Sequence, residues 1–182
     1  MPLANQIRII GGRWRGRKVR FPGQEGVRPT PDRVRETLFN WLGQDLTGAR
    51  TLDLFAGSGA LSFEALSRGA ARAVAVDRNA VLVRALDATA AALHTDRLET
   101  HCADARAFLH GEKRRFDVVF LDPPFDTTRW PELLASVAER LSPEGALYAE
   151  AREEITSAPG LAVWRRHKAG QVHYHLLRHA AT

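Results

Sequence analysis

From residue 50 onward the chain alternates between short apolar runs and longer stretches whose apolar residues recur at helical spacing. The runs "TLDLF", "AVAVD", "LETHCAD", "DVVFLD" and "GALYAE" read as strands. Between them, Leu61 to Arg68 closed by Gly69, Asn79 to Leu93, Ala105 to His110 and Trp130 to Leu141 read as helices. Short apolar strands separated by helices predict a parallel sheet covered on both faces. The tail breaks this rhythm. "LAVWRRH" and "QVHYHLL" flank Ala169-Gly170 and read as a closing antiparallel hairpin.

The first fifty residues follow another pattern. "IRII", a Gly11-Gly12 break and "RKVRF" stopped by Pro22-Gly23 read as short strands or a hairpin. Thr30 is then the expected N-cap of a helix with Pro31 in its first position. Val34, Leu38, Trp41 and Leu42 form one apolar face of that helix, which ends near Gly43. The expected organisation is an N-terminal β extension over residues 1–30 and an α/β domain over 31–182. Its sheet is mostly parallel, with an antiparallel C-terminal hairpin.

Composition adds limits. The 182 residues suit one domain with a sizeable core, and 45% hydrophobic with 26% charged is ordinary for a globular protein. No apolar run approaches the ~20 residues of a membrane span, and "MPLANQIRII" lacks a secretory apolar region. Cys102 is the only cysteine, which excludes an intrachain disulfide and disfavours a zinc site. A cytoplasmic protein without metal or membrane partner, and a monomer, is the expectation.

Charge is concentrated at one end. Residues 1–35 carry nine Lys/Arg against two acids, a net of +7, while the whole chain is +5 and the remainder therefore −2. Arg8, Arg13, Arg15, Arg17, Lys18 and Arg20 surround Trp14, a mixture of charge and stacking face suited to nucleic acid. These seven residues are the expected RNA contacts.

"DLFAGSGALSFEAL" reads as strand, glycine turn, helix. In an open α/β sheet the ligand lies at the carboxyl ends of the strands, and Gly57 and Gly59 let the backbone turn and approach it. Asp77 ends the next strand, where an acid accepts ribose hydroxyls. An adenosine-containing cofactor follows. The Gly57–Asp77 spacing equally suits NAD, with Ser62 standing where the dinucleotide fingerprint has its third glycine. Asp53, within the strand before the glycines, favours S-adenosylmethionine, whose methionine end is cationic. Asp104 ends the third strand, where it can cap an adenine edge or serve as N-cap for "ARAFL". "LDPPF" has no evident use in hydride transfer.

That last stretch carries the chemistry. Prolines remove two N–H donors, so Asp122 stands beside carbonyls alone. An acid and a carbonyl together accept the two hydrogens of an exocyclic base amine and direct its lone pair at an incoming methyl. Phe125 offers a face for a flipped-out base. Asp122, Pro123, Pro124 and Phe125 form the expected clamp.

Asp-Pro-Pro followed by an aromatic resembles the motif of methyltransferases acting on adenine N6 or guanine N2. With "IIGGRWRGRKV", "RPTPDRVRETLFNWL" and "DLFAGSGALSFEALSRGA" before it, the chain resembles the RsmD family over nearly its whole length. The resemblance implies the class I S-adenosylmethionine-dependent, Rossmann-like fold. It also implies a bacterial enzyme methylating N2 of a guanine in 16S ribosomal RNA, expected at guanine 966, with that RNA or the small subunit as partner. Carried over by position, Asp53, Gly57, Gly59, Asp77 and Asp104 hold the cofactor and Asp122 to Phe125 the acceptor. Arg28 to Glu36 helps wall the site. Alternatives are another nucleic-acid amino-methyltransferase, a non-catalytic RNA-binding protein and an NAD-dependent oxidoreductase. His173 and His175 share a strand face without a third metal ligand in view. Trp41 reads as core, and Cys102 as a small buried hydrophobe.

Overall fold

A computed structural model describes residues 5–24, 27–124 and 129–182. Phe125, the last member of the expected clamp, lies outside the described residues. In chain order the elements are β1 (Asn5–Arg8), β2 (Lys18–Phe21), α1 (Asp32–Leu42), β3 (Arg50–Asp53), α2 (Ala60–Ser67), β4 (Arg72–Asp77) and α3 (Ala80–Ala92). There follow β5 (Leu98–Cys102), α4 (Ala105–Gly111), β6 (Phe116–Leu121), α5 (Trp130–Ala138), β7 (Leu141–Ala151), β8 (Leu161–Ala169) and β9 (Val172–His179).

Seven strands form one sheet in the order β5-β4-β3-β6-β7-β9-β8. β5 through β7 pair in parallel, and β9 runs antiparallel between β7 and β8. "DVVFLD" is apolar without alternation because both faces are covered. Val118 and Phe120 pack toward the hairpin, α1, α2 and α3, while Val119 and Leu121 pack toward α4 and α5. The chain leaves β3 toward β4 and β5, then returns to β6 on β3's other side. That reversal opens a crevice at the carboxyl ends of β3 and β6.

β1 and β2 form an antiparallel hairpin with two unlike faces. Ile7, Val19 and Phe21 are buried in the same apolar cluster as α1 and α2, and Ile9 and Trp14 of the connecting turn join them. Residues on both sides of position 30 therefore share one core. A buried carboxylate fastens the join. Glu64 of α2 accepts the N–H of Ile10 at 2.9 Å and of Gly11 at 2.8 Å, and it pairs with Arg35 and Arg68. Ser67 accepts the N–H of Trp14 at 2.9 Å.

Three local expectations are corrected. Thr30 does not cap α1: its hydroxyl donates to Glu150, and Pro31 takes the capping position with no side-chain hydrogen bond. Trp14 is buried, with the Arg97 guanidinium over its ring, so no face is left for an RNA base. Cys102 is exposed, because β5 is the outermost strand of the sheet. Trp41 packs half-buried against the core.

Candidate active site

The carboxyl ends of β3, β4 and β6 bring Asp53, Asp77 and Asp122 to one edge of the sheet, and Asp104 follows β5. The loop after β3 turns at Gly57, with φ +54°, and Gly59, with φ +80°. The two glycines differ. A Cβ on Gly59 would lie 2.5 Å from Leu86 and 2.7 Å from Phe63, so that glycine lets α2 pack against α3. A Cβ on Gly57 would meet nothing nearer than Val27 at 3.8 Å, which leaves its surface open to a ligand. The Gly57 N–H donates to Asp77 Oδ2 at 2.9 Å and the Asn79 N–H to Oδ1 at 2.9 Å. Each Asp77 oxygen is thereby oriented with acceptor capacity remaining, as a ribose diol requires.

Asp53 is 4% exposed and accepts a hydrogen bond from Ser62 at 2.8 Å. Burial pushes its carboxyl up to about 7, against that hydrogen bond, with Asp77 and Glu150 adding repulsion. Among the described residues Asp53 forms no ion pair. A buried acid in this state gains most from a cationic ligand. The glycine opening, Asp77 and Asp53 thus fit an adenosyl group with a positively charged end. Asp104 is exposed and caps α4 through Oδ1, which accepts the N–H of Arg106 at 3.0 Å and of Ala107 at 3.1 Å. Its capping role is therefore real, whatever else it does.

At the end of β6, Asp122 is half-buried, Pro123 buried and Pro124 exposed. Asp122 is hydrogen-bonded to Glu150, a residue sequence reasoning missed. Burial first, then the Glu150 charge, holds the Asp122 carboxyl well above the usual carboxylate range. Glu150 Oε1 accepts from Tyr148 at 2.8 Å and from Thr30 at 3.2 Å. Tyr148 and Tyr174 stack at 6.4 Å beside this group, and burial with the same acids pushes Tyr174 up to about 12. The available signal for Glu150 was its place at the end of "GALYAE", the strand after the clamp.

The other expected site residues lie on the hairpin. Arg8, Arg13, Arg15, Arg17, Lys18 and Arg20 are all exposed. Arg8 stands directly across from Lys18 and Gln6 from Arg20, so one hairpin face is basic and the other apolar. Like charges opposed across a ladder are destabilising unless something anionic meets them. The two sites are connected. Arg35 donates to the Arg8 carbonyl at 3.0 Å and the Thr30 carbonyl at 3.1 Å, and Thr30 reaches Glu150 and hence Asp122. Within the stretch from Arg28 to Glu36, Thr30 thus contacts the Glu150 carboxylate beside Asp122.

His175 is buried with both ring nitrogens engaged. Nε2 accepts the Ile155 N–H at 3.0 Å, which leaves Nδ1 to donate to the Ala149 carbonyl at 3.3 Å. Burial lowers its pKa, consistent with the neutral ring. Among the described residues no three potential ligands cluster as a metal site, and no helix is long and apolar enough to cross a membrane.

Comparison with known proteins agrees with this geometry. Ribosomal RNA small subunit methyltransferase D of Escherichia coli K12 is 40% identical over 183 residues, covering 98% of this chain and 92% of that protein. Its namesake in Haemophilus influenzae is 38% identical, covering 82% of this chain and 80% of that one. The solved Escherichia coli protein yhhF superposes with a TM-score of 0.87 at 40% identity, covering 98% of this chain and 100% of that one. The sheet order is that of the class I methyltransferase fold. The family model described as conserved hypothetical protein 95 matches residues 7–178, and the chain belongs to that family, the RsmD family.

Proposed function

We propose that this protein uses S-adenosylmethionine to methylate the exocyclic N2 amine of one guanine in 16S ribosomal RNA, guanine 966 by the family resemblance. The observation that carries the reading is the half-buried acid just past β6, followed by a proline at the crevice that the glycine loop opens. The relatives in E. coli and H. influenzae are named for the small-subunit RNA, which supports the substrate class.

When bound, the cofactor supplies a methyl group on a sulfonium, a good electrophile. The chain supplies position and charge. Asp77 receives the ribose hydroxyls and Asp53 the cationic methionine end, while Gly57 admits the close approach and Asp104 offers its remaining oxygen to the adenine. Asp122 and the Pro123 carbonyl each accept one amine hydrogen, aligning the nitrogen lone pair with the methyl. Pro124 stiffens the turn and Phe125 supplies the stacking face. The basic hairpin face grips phosphates through Arg8, Arg13, Arg15, Arg17, Lys18 and Arg20. The protein works as a cytoplasmic monomer.

The test is direct. Labelled S-adenosylmethionine is incubated with 16S RNA lacking the mark, both free and assembled in small subunits, and the modified nucleotide is mapped. N2-methylguanine at one position is expected. Methyladenine would place the enzyme in another amino-methyltransferase class, and no transfer to either substrate would contradict the reading.

A further inference from the structure

Glu150 lies outside the motif that marks the acceptor site, yet it is hydrogen-bonded to the acid at the centre of that motif. In the β6–β7 ladder, Phe120 pairs with Tyr148 and Leu121 with Ala149, so the next step sets Asp122 against Glu150 on the same sheet face. Glu150 is 7% exposed, and two hydroxyls donate to its Oε1. Among the described residues neither acid forms an ion pair, although Asp53 adds a third carboxyl nearby. Two acids in contact, without a cation, hold one proton between them.

We propose that Glu150 is the positioning residue of the acceptor site: it holds Asp122 through a shared proton and takes that proton when Asp122 receives one from the base amine. The inference rests on the methyl-transfer reading above. The amine nitrogen forms its bond to the methyl carbon as the carbon–sulfur bond breaks, its electron pair going to sulfur. The nitrogen then carries a surplus hydrogen. This proton passes to the Asp122 oxygen facing the base, while the proton already on Asp122 moves to Glu150. Both acids end neutral, and water later removes one proton to restore the pair.

The surroundings are arranged for this task. On this proposal the resting proton sits on Asp122, whose carboxyl is pushed upward by burial first, then by Glu150 and Asp53. Glu150 is raised by burial but held back by hydrogen bonds from Tyr148, Asp122 and Thr30, which favour its charged form. Tyr148 and Tyr174 are themselves raised by burial and by these acids, so both remain neutral donors or walls. The result is an anion kept ready behind a neutral acid.

Glu150→Gln tests the idea, because the amide oxygen still accepts from Tyr148 and Thr30 while the proton acceptor is gone. Cofactor affinity by calorimetry and KM for RNA are expected to stay within about twofold, and kcat to fall about 10–100-fold. Wild-type kcat is expected to rise with pH along an acidic limb that vanishes in Glu150→Gln. Wild-type kcat in the variant, or a reduced kcat with that limb intact, would overturn the proposal. Infrared titration of the free protein gives a readout without turnover. The protonated-carboxyl band should persist to higher pH in wild type than in Glu150→Gln, and equal midpoints would count against the shared proton. If wild type transfers no methyl, the activity reading falls, and with it the acceptor role, while the infrared result still judges the pair. If Glu150→Gln does not fold, Tyr148→Phe decides: loss of one donor to Glu150 should move the limb to higher pH, and an unmoved limb would overturn the proposal.

Discussion

Two acid-centred groups lie on the same side of the sheet and are built on opposite principles. Around Glu64 every charge is matched: Arg35 and Arg68 pair with it, and two hairpin N–H groups complete its hydrogen bonds. Around Asp122 the acids Glu150 and Asp53 crowd together, and among the described residues none of the three forms an ion pair. A paired buried acid is a fastening, and removing one partner leaves the rest stranded. An unmatched acid is held at a cost, and a cation or a proton relieves it. The first cluster holds the hairpin to the body. The second is left with charge that only a cation or a proton would relieve.

Truncation should break the first cluster completely. Deleting residues 1–20 removes Ile7, Ile9, Trp14 and Val19 from the core, each worth about 1.5–3 kcal/mol of burial. The loss is comparable with the whole ~5–15 kcal/mol stability of a domain, so circular dichroism should show no cooperative unfolding. A folded truncation would mean that the hairpin is a separable arm. Next in size, Glu64→Ala strands Arg68 and leaves Arg35 with Asp32 as its one carboxylate partner, and it should cost about 3–5 kcal/mol in denaturant unfolding. A change within error would remove its role as fastening.

The acid cluster responds differently. Asp77→Ala leaves ribose hydroxyls unpaired and should weaken cofactor binding by about 1–3 kcal/mol in a calorimetric titration. Unchanged affinity would move the cofactor elsewhere. Asp53 gives a signed pH effect. Its folded carboxyl titrates near 7 against an ordinary 3.8, so the folded state holds a proton that the unfolded chain releases. Stability contributed by this group is therefore present below the lower value and lost as pH rises toward 7. Asp53→Asn should flatten that fall and raise Tm at pH 8, by about 2–4 °C for each kcal/mol recovered. Cofactor affinity of the wild type should weaken as pH drops below 7, and a flat profile would contradict the pairing with a cationic ligand.

The smallest effect concerns the hairpin's basic face. Arg8→Ala, Lys18→Ala and Arg20→Ala together leave the apolar face intact and should preserve Tm. Each phosphate that the variant no longer neutralises should make the slope of log affinity against log salt shallower by about 0.7–0.9. An unchanged slope would clear this face of RNA binding.

The strands were legible because a sheet covered on both faces writes its strands as apolar runs, and the Asp-Pro-Pro turn after β6 stood out because prolines mark it. What escaped notice depended on partners distant in sequence. Arg35 sits between Val34 and Leu38, and helical spacing alone cannot say that Glu64, 29 residues away, draws it inside. Trp14 stands among arginines, but the turn folds it onto the core while its neighbours face outward. Cys102 came out exposed because strand order, which decides the edge, is not written locally. Glu150 became visible only with the register of β6 on β7, which shifts between Phe116 and Val118. Thr30 was claimed by that same distant acid, against its local propensity as a cap.

The most direct test of the account is Asp122→Ala, measured for methyl transfer to unmodified 16S RNA at saturating substrates, with cofactor binding titrated on the same preparation. The expected result is a fall in kcat of about 100-fold or more, with cofactor affinity within about twofold of wild type. Transfer at the wild-type rate would show that the acid ending β6 does not hold the methyl acceptor.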